Sequence, residues 1–277
     1  MHKFYIDPEQ LKAELLKIEA SIPDNVPVMI HSDIMKVGFP CSEFDADEAG
    51  KSYEKLFLEV FSNRSILIPT FCYDYCSTRI FDVNNDLGQV GFLSRHMVKH
   101  HSELRSKTPV FNFVILNNQG FSLEPARNAF GAGSIYEQFF SQRGYIILLG
   151  VGILRCTPLM YVESKSDVIY RYEKEFPGKI INHEKETKVD FSMPVRPLNP
   201  DVIEYSDILE VDLLKSGIMK EFTTGFTKTL VCPSDEFFKF FESKLKSDAL
   251  YPLTDKAKIA AQEFCKINKR FSIELCE

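Results

Sequence analysis

A chain of 277 residues with 44% hydrophobic and 26% charged residues can bury a substantial core and has the composition of an ordinary globular protein. Its 33 Lys and Arg against 39 Asp and Glu give a net charge of −6, and no basic run is long enough to track a phosphate backbone, which argues against a nucleic-acid partner. No run of roughly 18 apolar residues is present to span a membrane. The first ten residues lack the basic, apolar, small-residue order of a secretory signal, and seven cysteines scattered from Cys41 to Cys276 read as free thiols of a reducing cytoplasm.

In chain order, Asp7-Pro8 has the form of an N-cap followed by Pro at the first helical position, and Leu11, Leu15 and Ile18 recur at helical spacing, predicting an opening amphipathic helix. Residues 26–30 are a short apolar run ending at His31-Ser32-Asp33, and open α/β sheets place ligands at strand ends of this kind. Residues 45–61 read as a helix whose inward face is Ala49, Tyr53, Leu56, Phe57, Val60 and Phe61, and residues 65–71 as a buried strand. Strand, helix, strand in this rhythm favours a layered α/β fold. Residues 72–91, rich in Asp, Asn and aromatic side chains without a period, predict a long structured loop. A helix over 90–101, a strand over 110–116, a helix over 134–140 capped by Ser134, and a central strand over 145–151 follow. Strand character over 169–172 and 188–195 and helices over 234–246 and 254–269 complete the reading. With no repeat, low-complexity segment or linker, residues 1–277 are read as one domain.

Two stretches set polar groups at fixed offsets in apolar surroundings: Arg105-Ser-Lys-Thr-Pro-Val-Phe-Asn112 and Thr157-Pro-Leu-Met-Tyr-Val-Glu163. The planar fork of Arg105 suits phosphate, although a surface ion pair is the ordinary role of a lone Arg. Glu163 can accept the proton of an attacking amine if burial raises its pKa; the alternative is a structural ion pair with Lys165 or Arg171. Gly131-Ala-Gly133-Ser134 either presents backbone N–H groups to an anion or makes a simple tight turn. Cys72 and Cys76 have no second pair or nearby His to complete a zinc set. His96, His100 and His101 share one helix and read as a solvated face, so no metal ligands are assigned.

Arg105, Ser106, Pro109, Thr157, Leu159 and Glu163 match the signatures Arg-Ser-x-His-Pro-Thr-His-Ser and Thr-x-Leu-His-x-x-Glu, and through them the chain resembles the aminoglycoside 3-N-acetyltransferase family. His31-Ser-Asp-Ile34 with Gly38, Leu67-Ile-Pro-Thr-Phe71, Phe81-Asp82, Gly91-Phe-Leu93 and Phe130-Gly-Ala-Gly-Ser134 extend the match in order, over roughly residues 26–178. The resemblance implies a three-layer α/β sandwich around a central mixed sheet. It also implies acetyl-coenzyme A (acetyl-CoA) as co-substrate, no metal, a small-molecule amino-sugar acceptor, and a homodimer as one arrangement. Carried over residue by residue, it puts His31, Ser32, Asp33, Gly38, Thr70, Arg105 and Ser106 at coenzyme A, and Asp82, Phe111, Met160 and Tyr161 at the acceptor. Glu163 or His31 would then be the base.

Phe111 stands at the second His of the first signature and Met160 at the His of the second. Two readings therefore stay open: an N-acyltransferase with a different base, or a catalytically inactive relative that binds coenzyme A or a sugar nucleotide. Arg95 stands where the family commonly has Glu, and Tyr170-Arg-Tyr-Glu-Lys-Glu-Phe-Pro-Gly178 is similar to a segment of a branch associated with bacterial surface-polysaccharide loci, which implies a nucleotide-linked or lipid-linked amino sugar as acceptor. Transfer is expected to be direct, since Cys72, Cys76 and Cys156 have no paired His for a ping-pong route.

Overall fold

The computed structural model describes residues 3–42, 45–197 and 204–272; Cys276 lies outside them. The chain runs through α1 (Pro8–Glu19), β1 (Val28–Ser32), the single turn α2 (Ile34–Val37), α3 (Ala46–Val60), β2 (Ile66–Pro69), the short α4 (Tyr75–Thr78), β3 (Ile80–Asp82), α5 (Phe92–His101) and β4 (Phe113–Leu116). It continues with α6 (Ile135–Ser141), β5 (Tyr145–Leu149), α7 (Pro158–Lys165), β6 (Tyr172–Glu175), β7 (Gly178–Asn182), β8 (Lys185–Val189) and β9 (Ser192–Val195). The last described elements are α8 (Ile208–Lys215), β10 (Lys220–Thr224), β11 (Thr227–Pro233), α9 (Ser234–Ser247) and α10 (Asp255–Asn268).

Six strands form the central sheet in the order β10-β11-β5-β1-β2-β4. β1 pairs in parallel with β2 and β5, while the β2–β4, β11–β5 and β10–β11 pairings are antiparallel, so the sheet is mixed as expected. Successive side chains of a strand point to opposite faces, and each face here has its own core. Val28 and Ile30 of β1 join Ile147, Leu149, Val114 and Leu116 under α1, α3 and α5. Met29 joins Ile146, Leu148, Phe113 and Ile115 under Tyr136, Val162 and Phe237 of α6, α7 and α9. Two helical layers therefore sandwich the sheet, and each fully buried aliphatic or aromatic side chain contributes about 1.5–3 kcal/mol of transfer free energy.

Local signals place most helix starts. Asp7, Asp45, Ser134 and Thr254 cap α1, α3, α6 and α10, each side chain accepting a bond from a first-turn N–H. Departures from the sequence reading come where a distant partner decides. Residues 72–91 contain α4 and β3, and β3 becomes a strand because Phe81 pairs with Ile180 of β7. Residues 188–195 are two strands rather than one, broken between Val189 and Ser192. Strand β6 starts only at Tyr172, and α7, α8 and the β10–β11 hairpin were not foreseen.

That hairpin closes the sheet edge through a turn at Gly225, where φ is +58° and a Cβ would lie 1.9 Å from the Val37 carbonyl oxygen. Gly225→Ala is expected to destabilise the protein by more than about 1 kcal/mol, because a left-handed backbone and a backbone clash coincide. Chemical denaturation followed by circular dichroism reads this directly, and an unchanged midpoint would refute it.

Candidate active site

The three parallel strands end side by side, and a cavity of about 550 Å³ opens beyond Ser32 of β1, Pro69 of β2 and Val151 just past β5. Open α/β sheets bind ligands at this end of their parallel strands. The single turn α2 contributes Ile34, and the starts of α5 and α7 line the cavity through Phe92 and through Thr157 and Leu159, so two helix N-termini, the positive ends of their dipoles, border one space. Gly91 at the start of α5 has φ +102° and open space around its missing Cβ. The far wall is the 72–91 segment, which contributes Tyr73, Gln89 and Val90.

Of the residues proposed from sequence, His31, Ser32, Asp33 and Met160 line this cavity. His31 is 6% exposed, and its Nε2 lies 3.3 Å from the Thr157 hydroxyl. That hydroxyl in turn shares a 2.6 Å bond with the Tyr136 hydroxyl. Desolvation pushes the His31 pKa down to about 3, so the imidazole is neutral at physiological pH. The Asp33 carboxylate sits 3.2 Å from Lys36 Nζ. Cys156 also lines the cavity, but burial drives its thiol pKa far up, which makes it a poor nucleophile. Cys72, off the cavity lining, is pushed up to about 11 by burial.

Other assignments are corrected by the geometry. Arg105 is 1% exposed, and it donates to Asn112 Oδ1 at 2.8 Å and to the carbonyls of Thr70, Val83 and Asp86 at 2.8, 3.0 and 2.6 Å. Its fork is bonded on all three nitrogens by the chain rather than offered to a phosphate. What it does instead is anchor the 72–91 wall to the end of β2. Thr70 and Ser106 are equally inward, Thr70 donating to Asn112 Oδ1 at 2.8 Å and Ser106 Oγ accepting from Phe113 N–H at 3.0 Å. Gly38 serves a turn, with φ +119° and its carbonyl accepting from the Tyr53 hydroxyl at 2.6 Å. Asp82 caps its own turn by accepting from the backbone of Asn84 and Asn85.

Phe111 is packed among Phe71, Phe130 and Tyr73, with ring centroids 5.1, 5.1 and 6.3 Å away. It therefore supports the aromatic wall from behind. Tyr161 faces away from the cavity and stacks on Phe140 at 4.4 Å. Glu163 has no solvent exposure and is off the cavity lining. Its carboxylate accepts from the Tyr170 hydroxyl at 2.6 Å, Arg171 Nε at 2.7 Å and the Tyr205 hydroxyl at 2.7 and 2.9 Å. Arg171, not Lys165, is the ion-pair partner. A carboxylate with its lone pairs filled this way is a positioning group, and the residues it positions, Arg171 and Tyr205, do line the cavity.

Sequence reasoning missed Tyr73, Gln89, Arg155 and Tyr205 as lining residues, and considered Arg171 only as a partner for Glu163. None carries a local signature. Gln89 is placed by accepting the Tyr73 N–H at 2.5 Å, a contact across a loop that no periodicity reports. Arg155 is exposed in the turn after β5, where only the strand-end position hints at a role.

The family model for aminoglycoside 3-N-acetyltransferases matches residues 29–246, most of the chain. The chain belongs to the aminoglycoside 3-N-acetyltransferase family. It is thus an acetyl-CoA-dependent N-acetyltransferase by descent. Solved structures share the fold at low identity: aminoglycoside acetyltransferase AAC(3)-IVa in complex with a gentamicin has a TM-score of 0.72 at 16% identity, over 95% of this chain and 99% of that one. AAC-IIIb in its binary complex with CoASH scores 0.67 at 15% identity, over 88% and 97%. The YokD protein from Bacillus subtilis scores 0.66 at 14% identity, over 89% and 95%. No curated protein matches the sequence. Met160 lines the cavity at the position where the second signature has His, and Glu163, at the Glu of that signature, is paired with Arg171.

Two outcomes follow. Glu163→Gln leaves the Arg171 guanidinium buried without its counter-charge and is expected to cost about 3–5 kcal/mol of stability, read as a fall in the urea midpoint; an unshifted midpoint would contradict the network. Folded His31 takes its proton only near pH 3, whereas an unfolded imidazole does so near 6.5. The unfolded chain therefore binds protons first, and stability falls as pH drops from about 6.5 toward 3, by up to about 1.4 kcal/mol per unit. The same titration on His31→Gln should be flatter across that window, and an identical slope would remove His31 from the account.

Proposed function

We propose that residues 1–277 work as one cytoplasmic domain that acetylates an amino sugar carried on a nucleotide or lipid phosphate, as used for surface polysaccharide. The observation that carries this is the charge lining the cavity. Asp33 is its one carboxylate among the described residues, already 3.2 Å from Lys36 Nζ, while exposed Arg155 and buried Arg171 line the same space. A polycationic antibiotic needs several carboxylates to replace its lost hydration. A phosphate-linked sugar is better matched by guanidinium groups and helix N-termini.

Acetyl transfer in this cavity is direct. The acceptor nitrogen forms a C–N bond to the thioester carbonyl carbon, the C–S bond breaks, and sulfur leaves as the thiolate of coenzyme A and takes up a proton. The nitrogen must shed one proton along the way. His31, with its pKa near 3, is too weak to strip a free alkylammonium, at about 1.4 kcal/mol for every unit of mismatch. The ammonium of the tetrahedral intermediate is far more acidic than the free one, and His31 and Asp33, both on the cavity lining, are the groups able to accept its proton. The His31–Thr157–Tyr136 chain of hydrogen bonds holds the imidazole with Nε2 toward Thr157. The high pKa of the Cys156 thiol supports the direct route over an acyl-cysteine.

Thiol release from acetyl-CoA, measured with nucleoside-diphosphate-linked amino sugars in one arm and gentamicin or apramycin in the other, tests this reading. A kcat/KM higher by about 100-fold or more for a nucleotide-linked acceptor is expected. Turnover of the antibiotics at equal or better kcat/KM would overturn it.

A further inference from the structure

Helices α3 and α5 pack on each other, and three side chains there lie off the cavity lining and have no part in acetyl transfer. His96 and His100 lie one turn apart on α5 and so project from the same face, with ring centroids 4.5 Å apart. Asp47 comes from the first turn of α3. One ligand atom from each of Asp47, His96 and His100 can be chosen so that all lie within 4.8 Å of one another.

The second observation is His96 itself. It is 3% exposed, and its Nε2 is 2.8 Å from Glu54 Oε2. A carboxylate there holds the ring proton on Nε2 and leaves Nδ1 as a bare lone pair. Nδ1 is buried and has no hydrogen-bond partner. Buried imidazole nitrogens without partners are rare, whereas a His fixed on one side by a carboxylate and open on the other is the usual arrangement around a bound metal. Gly50 makes room for it: a Cβ at that position would lie 2.6 Å from His96 Nδ1.

The geometry points to a site for a divalent metal of the zinc class, ligated by Asp47, His96 and His100 with Glu54 orienting His96, which clamps α3 to α5. Two imidazoles and a carboxylate suit zinc, cobalt or nickel, with water at the open position. Tetrahedral ligand atoms about 2.1 Å from zinc stand roughly 3.4 Å apart, so Asp47 and His100, both exposed, swing inward while His96 stays put. Lys99 Nζ is 2.6 Å from Asp47 Oδ2, with both side chains about half exposed. Such a surface pair yields easily. The clamp is independent of the transfer chemistry, and it stiffens the helix whose first turn walls the cavity.

The test uses full-length protein stripped with chelator and titrated with zinc chloride by calorimetry, with cobalt absorption as a second readout. About one equivalent is expected to bind in the micromolar range or tighter and to raise the melting temperature. The cobalt spectrum should lack the thiolate charge-transfer band that cysteine ligation would produce. His100→Ala, on the surface, should keep the metal-free melting temperature and bind at least about 10-fold more weakly, and Glu54→Gln should lose about 10–100-fold. Absence of zinc binding below millimolar concentration, a thiolate band, or unchanged affinity in His100→Ala would each overturn the assignment.

Discussion

Parallel pairing of β1 between β2 and β5 is the constraint from which the rest of this structure follows. Parallel neighbours need crossover connections, and these cover both faces of the sheet with helices. The strands are then buried on both sides, which is why Val28-Met-Ile30 and Ile146-Ile-Leu-Leu149 are continuously apolar. It also gathers three carboxyl ends at one edge. His31, near the end of apolar β1, is carried into the interior because its strand position faces the Met29 core, and its depressed pKa is a consequence of that placement.

Arg105 extends the same constraint to the cavity wall. A buried guanidinium is costly unless its donors are filled, and here the filling groups are carbonyls at Thr70, Val83 and Asp86, on either side of α4 and β3. The energy that satisfies the cation therefore fixes the loop that carries Tyr73 and Gln89. A residue that looks like a phosphate ligand in sequence shapes the ligand site without touching it.

What the sequence disclosed and what it hid divide along the same physical line. Caps and helical periods act within a few residues, so Asp45, Ser134 and Thr254 mark their helices correctly, and the apolar runs at β1, β2 and β5 announce a parallel core. The His31-Ser32-Asp33 turn was legible because a strand end is a local event. Elements created by distant pairing were not: β3 needs β7, and the hairpin of β10 and β11 is a sheet edge only because Thr229 to Pro233 meet β5. In the site, matched motif residues divide by direction: His31, Ser32, Asp33 and Thr157 line the cavity, and others do not. Gly38, Thr70, Asp82, Arg105, Ser106 and Glu163 match the family pattern in sequence, yet each lies off the cavity lining and is bonded into the structure. Arg155 and Tyr205 reach the cavity with no motif at all.

Glu163 shows how one buried carboxylate organises the side chains around it. A carboxylate with no exposure must have its charge balanced. The balance comes from Arg171, and the hydroxyls of Tyr170 and Tyr205 fill the remaining lone pairs. The buried network is neutral as a whole, and its outer members, Arg171 and Tyr205, line the cavity. Met160 and the aromatic wall backed by Phe111 then give that side of the space an apolar lining. That side of the space therefore presents shape and a paired guanidinium rather than an imidazole, while His31 and Asp33 supply the titratable groups at the end of β1.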